Sequence, residues 1–255
     1  NQKAEVILYR PTGESGDFEK ANFPIGVEGG KTSTCPTQNL MEAYDMKDGT
    51  PFVWNNQSDP YDNRDPRMKY TIVCNEMKWP VDPVEIWEGG TNGLPLQNAT
   101  TTGYYLKKYV NNTISFEAGS TVTKKQHNWV LFRYGEILLN YAEAMINAFH
   151  DPNYKDAVYN MSAREAVNQI RGRTNISLPG FPSDITEKDF VKRLKNERRV
   201  ELAFEGHRFW DVRRWKELGQ TANIYGVKIT KNNEVISYEK FLLETRAVTD
   251  NMYFY

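Results

Sequence analysis

The run Asn196-Glu197-Arg198-Arg199-Val200-Glu201-Leu202-Ala203-Phe204-Glu205-Gly206-His207-Arg208-Phe209-Trp210-Asp211-Val212-Arg213-Arg214-Trp215 decides how this chain folds. Upstream of it, Thr186 followed three residues later by Asp189 has the form of a capped helix start. Phe190, Leu194 and Phe204 then recur at helical spacing, with Glu197 and Glu201 on the same stripe. Gly206 interrupts that helix, and residues 207–218 continue as a basic, aromatic helix carrying Phe209, Trp210, Val212 and Trp215. A carboxylate on an inward stripe must find a cation to stay charged. Arginines are abundant nearby, so Glu197, Arg198, Glu201, Arg208, Asp211 and Arg213 are expected to form a structural ion-pair network gripping adjacent helices.

Working outward, apolar residues at Leu131, Tyr134, Leu138, Tyr141, Ala142, Met145 and Ala148 mark one face of a long helix that Asp151-Pro152-Asn153 ends. Ser162-Ala163-Arg164-Glu165 has capping-box form, with Ala166, Val167 and Ile170 behind it. Two helices joined by a short polar connection should pack antiparallel, like a tetratricopeptide unit in a single copy. The N-terminal side differs in kind. It holds most of the Gly and Pro and little helical periodicity. Short strands are expected at 4–10, 70–74 and 102–110, with a short helix at 38–44 capped by Thr37. Three regions follow: a loop-rich portion at 1–126 with short strands and a candidate ligand face, a helical portion at 127–219, and a C-terminal tail at 220–255, where no pattern is legible and Tyr253-Phe254-Tyr255 reads as a short edge strand or an ordered tail. The expected fold class is mainly α, with tetratricopeptide-like helix pairs and a loop-rich, few-stranded remainder.

Composition narrows the function. Thirty-two Lys and Arg against 33 Asp and Glu give a formal net charge of −1, which excludes a globally basic nucleic-acid binder. Mean hydropathy is −0.68, and no apolar run is long enough to span a bilayer as a helix. Cys35 and Cys74 stand alone, without a CxxC or Cys/His cluster, so no zinc site is expected and a disulfide is possible without being required. Aromatics make up 13% of the chain, which is high for so polar a sequence. Trp54, Tyr61, Trp79 and Trp87 fall in turn-rich sequence beside Asn, Asp, Pro and Gly, and Asn92 sits in the loop Gly89-Gly90-Thr91-Asn92-Gly93. A ring face takes the C–H face of a pyranose while amides and carboxylates bond its hydroxyls. Trp87, Trp79, Trp54, Asn92 and Tyr61 are therefore the expected ligand-binding residues. At about 0.5–1.5 kcal/mol per stack, a few rings reach roughly millimolar affinity. The competing reading is that these rings plug hydrophobic clusters beneath the loops.

Other constellations point away from chemistry. Glu197, Glu201 and Glu205 project to one side of a helix, whereas a glycosidase needs carboxyls on opposite sides of the scissile bond. His207 and Asp211 lack further ligands at metal-binding spacing, and His127 and His150 are isolated. Between Lys188 and Glu217 there are ten basic and six acidic residues, but the signs alternate as in an ion-paired helix. No phosphate loop, dinucleotide fingerprint or nucleophile elbow appears with the right flanks. No catalytic residue, metal or cofactor is expected.

Several stretches, in order, resemble the SusD/RagB family of outer-membrane nutrient-binding lipoproteins of Bacteroidetes. The run 196–215 is similar to that family's long helical signature, and Arg133-Tyr134-Gly135-Glu136-Ile137-Leu138-Leu139-Asn140-Tyr141-Ala142-Glu143-Ala144 and Ala166-Val167-Asn168-Gln169-Ile170-Arg171-Gly172-Arg173 are similar to two more of its helices. Asn63-Arg64-Asp65-Pro66-Arg67 and Thr102-Gly103-Tyr104-Tyr105-Leu106-Lys107-Lys108 also fit. The resemblance implies a SusD-like fold and a non-enzymatic protein at the cell surface. Its lipid anchor would lie in an N-terminal region absent from this chain. Its work would be to bind a glycan and deliver oligosaccharide to a SusC-like TonB-dependent transporter in the outer membrane. The alternative is the peptide- or protein-binding component of a RagAB-like uptake system. Family members are about twice this length, and their ligand-contacting aromatics lie outside the signature motifs. The five ligand residues above accordingly rest on loop chemistry alone.

Overall fold

The computed structural model describes residues 5–55, 59–117 and 123–253. Asn56, Gln57 and Ser58 of the Asp-rich turn and Phe254 and Tyr255 of the terminal run lie outside them. In chain order the elements are β1 (Val6–Ser15), α1 (Asp17–Asn22), α2 (Gln38–Met41), α3 (Pro66–Thr71), β2 (Ile72–Val73), β3 (Tyr105–Leu106), β4 (Lys125–Arg133), α4 (Tyr134–Phe149), α5 (Ala163–Arg171), α6 (Glu187–Glu201), α7 (His207–Arg214), β5 (Asn223–Asn232) and β6 (Val235–Thr245). Among the described residues helix outweighs strand, and the strands form three separate antiparallel pairs: β1 with β4, β2 with β3 and β5 with β6.

The helical portion follows local chemistry. α5 starts on a complete capping box: the Ser162 side chain accepts from the Glu165 backbone, and the Glu165 carboxylate accepts from the Ser162 N–H at 2.8 Å. Thr186 caps α6 by accepting from the Asp189 N–H. α4 packs on α5 and α6 around Leu138, Leu139, Ala142, Ile146, Ala166, Val167, Ile170, Phe190 and Leu194, all buried. Gly206 ends the preceding turns with φ +83°, a conformation open to glycine, and α7 begins beyond it.

Several boundaries differ from the sequence expectation. Leu131 belongs to β4, and α4 begins only at Tyr134, because β1 pairs along the whole of residues 125–133 and a partner more than 100 residues away leaves no local sign. β1 runs on through Pro11 to Ser15; a two-stranded ribbon has open edges that tolerate a missing donor. Tyr70 and Thr71 close helix α3 instead of opening a strand, since Asp65 accepts from the Arg67 N–H at 2.9 Å and Pro66 occupies the first helical position. The helix after Gly206 stops at Arg214, and Leu218–Thr221 is a short 3-10 turn.

The expected C-terminal tail is instead a β-hairpin. Its two strands are joined across Asn233-Glu234, and Val227, Ile229 and Tyr238 are buried in the core of the loop-rich portion. Gly103 makes that docking possible. Its φ is +82°, and a Cβ there would lie 2.4 Å from the Val227 carbonyl oxygen. The core under the hairpin is rich in aromatics, with Phe23, Tyr44, Tyr61, Trp79, Tyr104, Tyr105 and Tyr238 packed among Met41, Met68, Ile72 and Val73. Val200 of α6 belongs to this aromatic cluster, while Leu202 just beyond belongs to the helical one. Both cysteines are free.

Candidate functional site

A buried charge network joins the two portions. Arg67, at the start of α3, reaches Glu197 at 2.5 Å and Glu201 at 2.9 Å on α6, and Asp65 holds its other edge at 2.7 Å. Arg171 of α5 bonds Glu197 at 2.7 Å and Asp45 at 3.1 Å. Arg133, where β4 gives way to α4, bridges Glu201 and Glu205, each at 2.7 Å, and Arg173 and Lys108 add contacts to Glu201 and Glu205 at 2.6 Å. Burial favours the neutral acid, but Arg133, Arg67 and Arg173 outweigh it and hold the Glu201 carboxyl well below the usual carboxylate range. Glu197 is lowered in the same way: burial opposes, and Arg67 and Arg171 prevail. Every ionised oxygen of these glutamates is spent on a cation, leaving nothing to act as a general acid or base.

The expected network residues divide. Glu197 and Glu201 are its hub. Arg198 and Asp211 pair at 2.8 Å in a neighbouring cluster, where Arg214 meets Asp211 at 2.9 Å. Arg208 stands apart and donates to the amide oxygen of Gln220 at 3.1 Å. Arg213 lies over the Phe209 ring at 3.5 Å and donates to the Phe209 carbonyl at 2.8 Å. Sequence reasoning left out Asp65, Arg67, Lys108 and Arg133, although each sits in a stretch whose resemblance to the family was legible. Their pairing with α6 needed the long-range fold.

The five expected ligand residues are not gathered in one place. Tyr61 is buried, with ring edges against Tyr104 and Tyr238, so it offers no face to a ligand. Trp79 is only 6% exposed, and Lys107 Nζ lies 5.0 Å from its ring. Asn92 is a loop brace: its amide donates to the Ile25 carbonyl at 2.6 Å, its side-chain oxygen accepts from the Glu85 N–H at 2.9 Å, and its backbone carbonyl accepts from the Tyr105 hydroxyl. Trp54 and Trp87 are half-buried at the margin of the aromatic cluster. Trp54 meets Phe52 edge-on at 6.4 Å, and Lys231 Nζ sits 4.4 Å from the Trp87 ring.

Trp79 and Asn92 do line a common cleft of about 680 Å³. The segments 23–28, 79–84, 91–92 and 112–117 form its walls. Phe116 and Trp79 give it apolar surface, and Glu28, Asp82, Asn112 and Thr113 are exposed at its rim. The indole N–H of Trp79 has no hydrogen-bond partner among the described residues. Rings beside amides, hydroxyls and carboxylates suit a polyhydroxylated ligand. The rim residues that sequence reasoning missed lie in loops, where only the tertiary arrangement selects them. Among the described residues no three His, Cys, Asp or Glu side chains come together as a metal site, and no helix is long and apolar enough to cross a membrane.

Comparison with known proteins agrees with the fold. The SusD family profile matches residues 5–254. A crystal structure of a SusD-like protein from Bacteroides fragilis superimposes with TM-score 0.78 and 25% identity, covering 98% of this chain and 50% of its own. A SusD-like carbohydrate-binding protein, also from Bacteroides fragilis, gives TM-score 0.71 and 26% identity over 87% of this chain and 44% of its own. A SusD-like protein of Formosa agariphila is 37% identical over 91 residues, which is 33% of this chain and 16% of that protein. The chain thus spans about half the length of the solved structures it matches.

Proposed function

The chain belongs to the SusD family, and on that premise we propose that it is a glycan-binding protein of the cell surface that delivers oligosaccharide to a SusC-like TonB-dependent outer-membrane transporter without cleaving it. The carbohydrate-binding relative supports the ligand class, and the loop cleft supports its location. In this reading a saccharide lies along Phe116, above the covered Trp79, bonded by Asn112, Glu28 and Asp82, and the half-exposed rings of Trp54 and Trp87 meet longer chains outside the cleft. Asn92 and Tyr61 act behind the surface, bracing loop and core. The helix pairs supply a tetratricopeptide-like frame.

The test is a tryptophan-fluorescence titration against a panel of neutral and acidic oligosaccharides, repeated on Asn112→Ala. The Asn112 amide makes only a long 3.5 Å contact to the Pro80 carbonyl, so the variant keeps the fold. Saturable quenching by at least one saccharide, weakened several-fold in Asn112→Ala, is the expected result. Quenching by peptides alone would assign the chain to peptide capture, for which the largely exposed β1–β4 ribbon offers backbone pairing. Release of shortened sugar by the purified chain would contradict a binding role.

A further inference from the structure

A second hollow, of about 560 Å³, lies between α6, the start of α7 and the Pro51-Phe52 segment. Lys188, Lys192, Lys195 and Arg199 line it from one stripe of α6, at spacings of four, three and four residues, and Arg208 enters from the first turn of α7. The carboxylates around it are already engaged. Glu42 pairs with Lys240 at 2.7 Å, Asp45 with Arg171 at 3.1 Å, Glu197 with Arg67 and Arg171, and Glu217 with Lys195 at 2.5 Å. Lys188, Lys192, Arg199 and Arg208 are left without an ion pair among the described residues. Arg199, half-buried, makes no hydrogen bond there either. Burial first, and then the neighbouring Arg208 charge, push its guanidinium down to about 10. A desolvated cation beside another cation is unfavourable unless an anion joins them.

We propose that this hollow binds the carboxylate or sulfate groups of an acidic saccharide, at a subsite separate from the loop cleft. The assignment rests on the glycan-binding reading above for the saccharide and on the guanidinium pair for the charge. Guanidinium groups take two oxygens of a carboxylate or sulfate side by side. Pro51 and the half-buried Phe52 border the hollow on its apolar side. This also accounts for the basic excess of residues 188–217, which internal pairing does not use up.

The probes are sodium glucuronate, sodium sulfate and D-glucose, followed by thermal shift and calorimetry on the whole chain, with sodium chloride at matched ionic strength as the reference. Sulfate stabilises proteins generally by exclusion from their surface, so the comparison with Arg199→Gln carries the result. The expected outcome is an upward shift with glucuronate, sulfate or both, none with glucose, and an affinity about tenfold or more weaker in Arg199→Gln. The anion that acts tells a uronate from a sulfate ester. Arg199→Gln breaks no bond and relieves a like-charge contact, so without anion it should melt at or above the parent temperature. Arg208→Gln must lose the same response. A response no greater than that to chloride, or one unchanged in either variant, overturns the proposal, and tighter binding of a single-stranded oligonucleotide than of either anion overturns the saccharide assignment. Neutral-glycan quenching read through Asn112→Ala is independent of all these outcomes, so failure here and failure of the loop cleft are separable.

Discussion

The molecule has two cores built by different means. Around α4, α5 and α6 the core is mostly aliphatic, drawn from residues that repeat at helical spacing. Beneath the loops it is much richer in aromatics, drawn from segments with little regular structure and closed by a hairpin from the far end of the chain. The first is held by periodicity and capping, so each element is specified within its own length. The second is held by rings that fill space between turns and by polar side chains that bind backbone, as Asn92 and Arg64 do. Arg64 donates to the carbonyls of Met41, Tyr44 and Pro60, each at 2.7 Å. Between the cores runs the Arg67–Glu197–Glu201 network. Rigidity therefore comes from buried charge and helices, and the more open surface is left to the loops.

The comparison is broken most forcefully at the joint. Arg67→Ala leaves Glu197 and Glu201 with less cationic support in a dry site, and we expect a loss of about 3–5 kcal/mol in urea unfolding. A loss below about 1 kcal/mol would show that the network is ornamental. Next comes Gly103→Ala, which forces a left-handed backbone and a Cβ contact onto the Val227 carbonyl; a cost of about 1–3 kcal/mol is expected, seen as a lowered melting temperature. A neutral result would mean that the hairpin docks without that close approach. Acid sharpens the distinction further. Glu197, Glu201 and Glu205 all have folded values below their ordinary one, so their stabilising contribution is fully present above about pH 4.5 and is lost as pH falls toward those lower values. Melting temperature should hold down to about pH 5 and then drop steadily, less steeply in Glu201→Gln. The smallest effect is expected at Trp87. Trp87→Ala should weaken binding of a longer saccharide by about 0.5–1.5 kcal/mol in titration calorimetry.

How much could be read from the sequence follows the same division. The capping residues Ser162, Glu165 and Thr186 and the break at Gly206 were legible because each acts within a turn of itself. The hairpin does have a local signal: Val227-Lys228-Ile229-Thr230 alternates before the Asn233-Glu234 turn, and Val235-Ile236 resumes beyond it. The burial of Tyr61 and Trp79 had none. Asn, Asp and Pro beside a ring are compatible both with a displayed ring and with a ring tucked under a turn whose polar groups face backbone. Only contacts with Tyr104, Tyr238 and Lys107, far along the chain, decide between them. Glutamates on an inward stripe announced that cations must meet them, yet Arg67 and Arg133 could be identified as those cations only in three dimensions.

The division of labour is tested most directly by calorimetric titration of one quenching saccharide into Glu201→Gln and Asn112→Ala, at a temperature where both are folded. On the proposed reading, in which the charge network and the loop cleft are separate, the affinity of Glu201→Gln should equal that of the parent chain while that of Asn112→Ala falls several-fold. Lost binding in Glu201→Gln together with parent-like binding in Asn112→Ala would contradict the account.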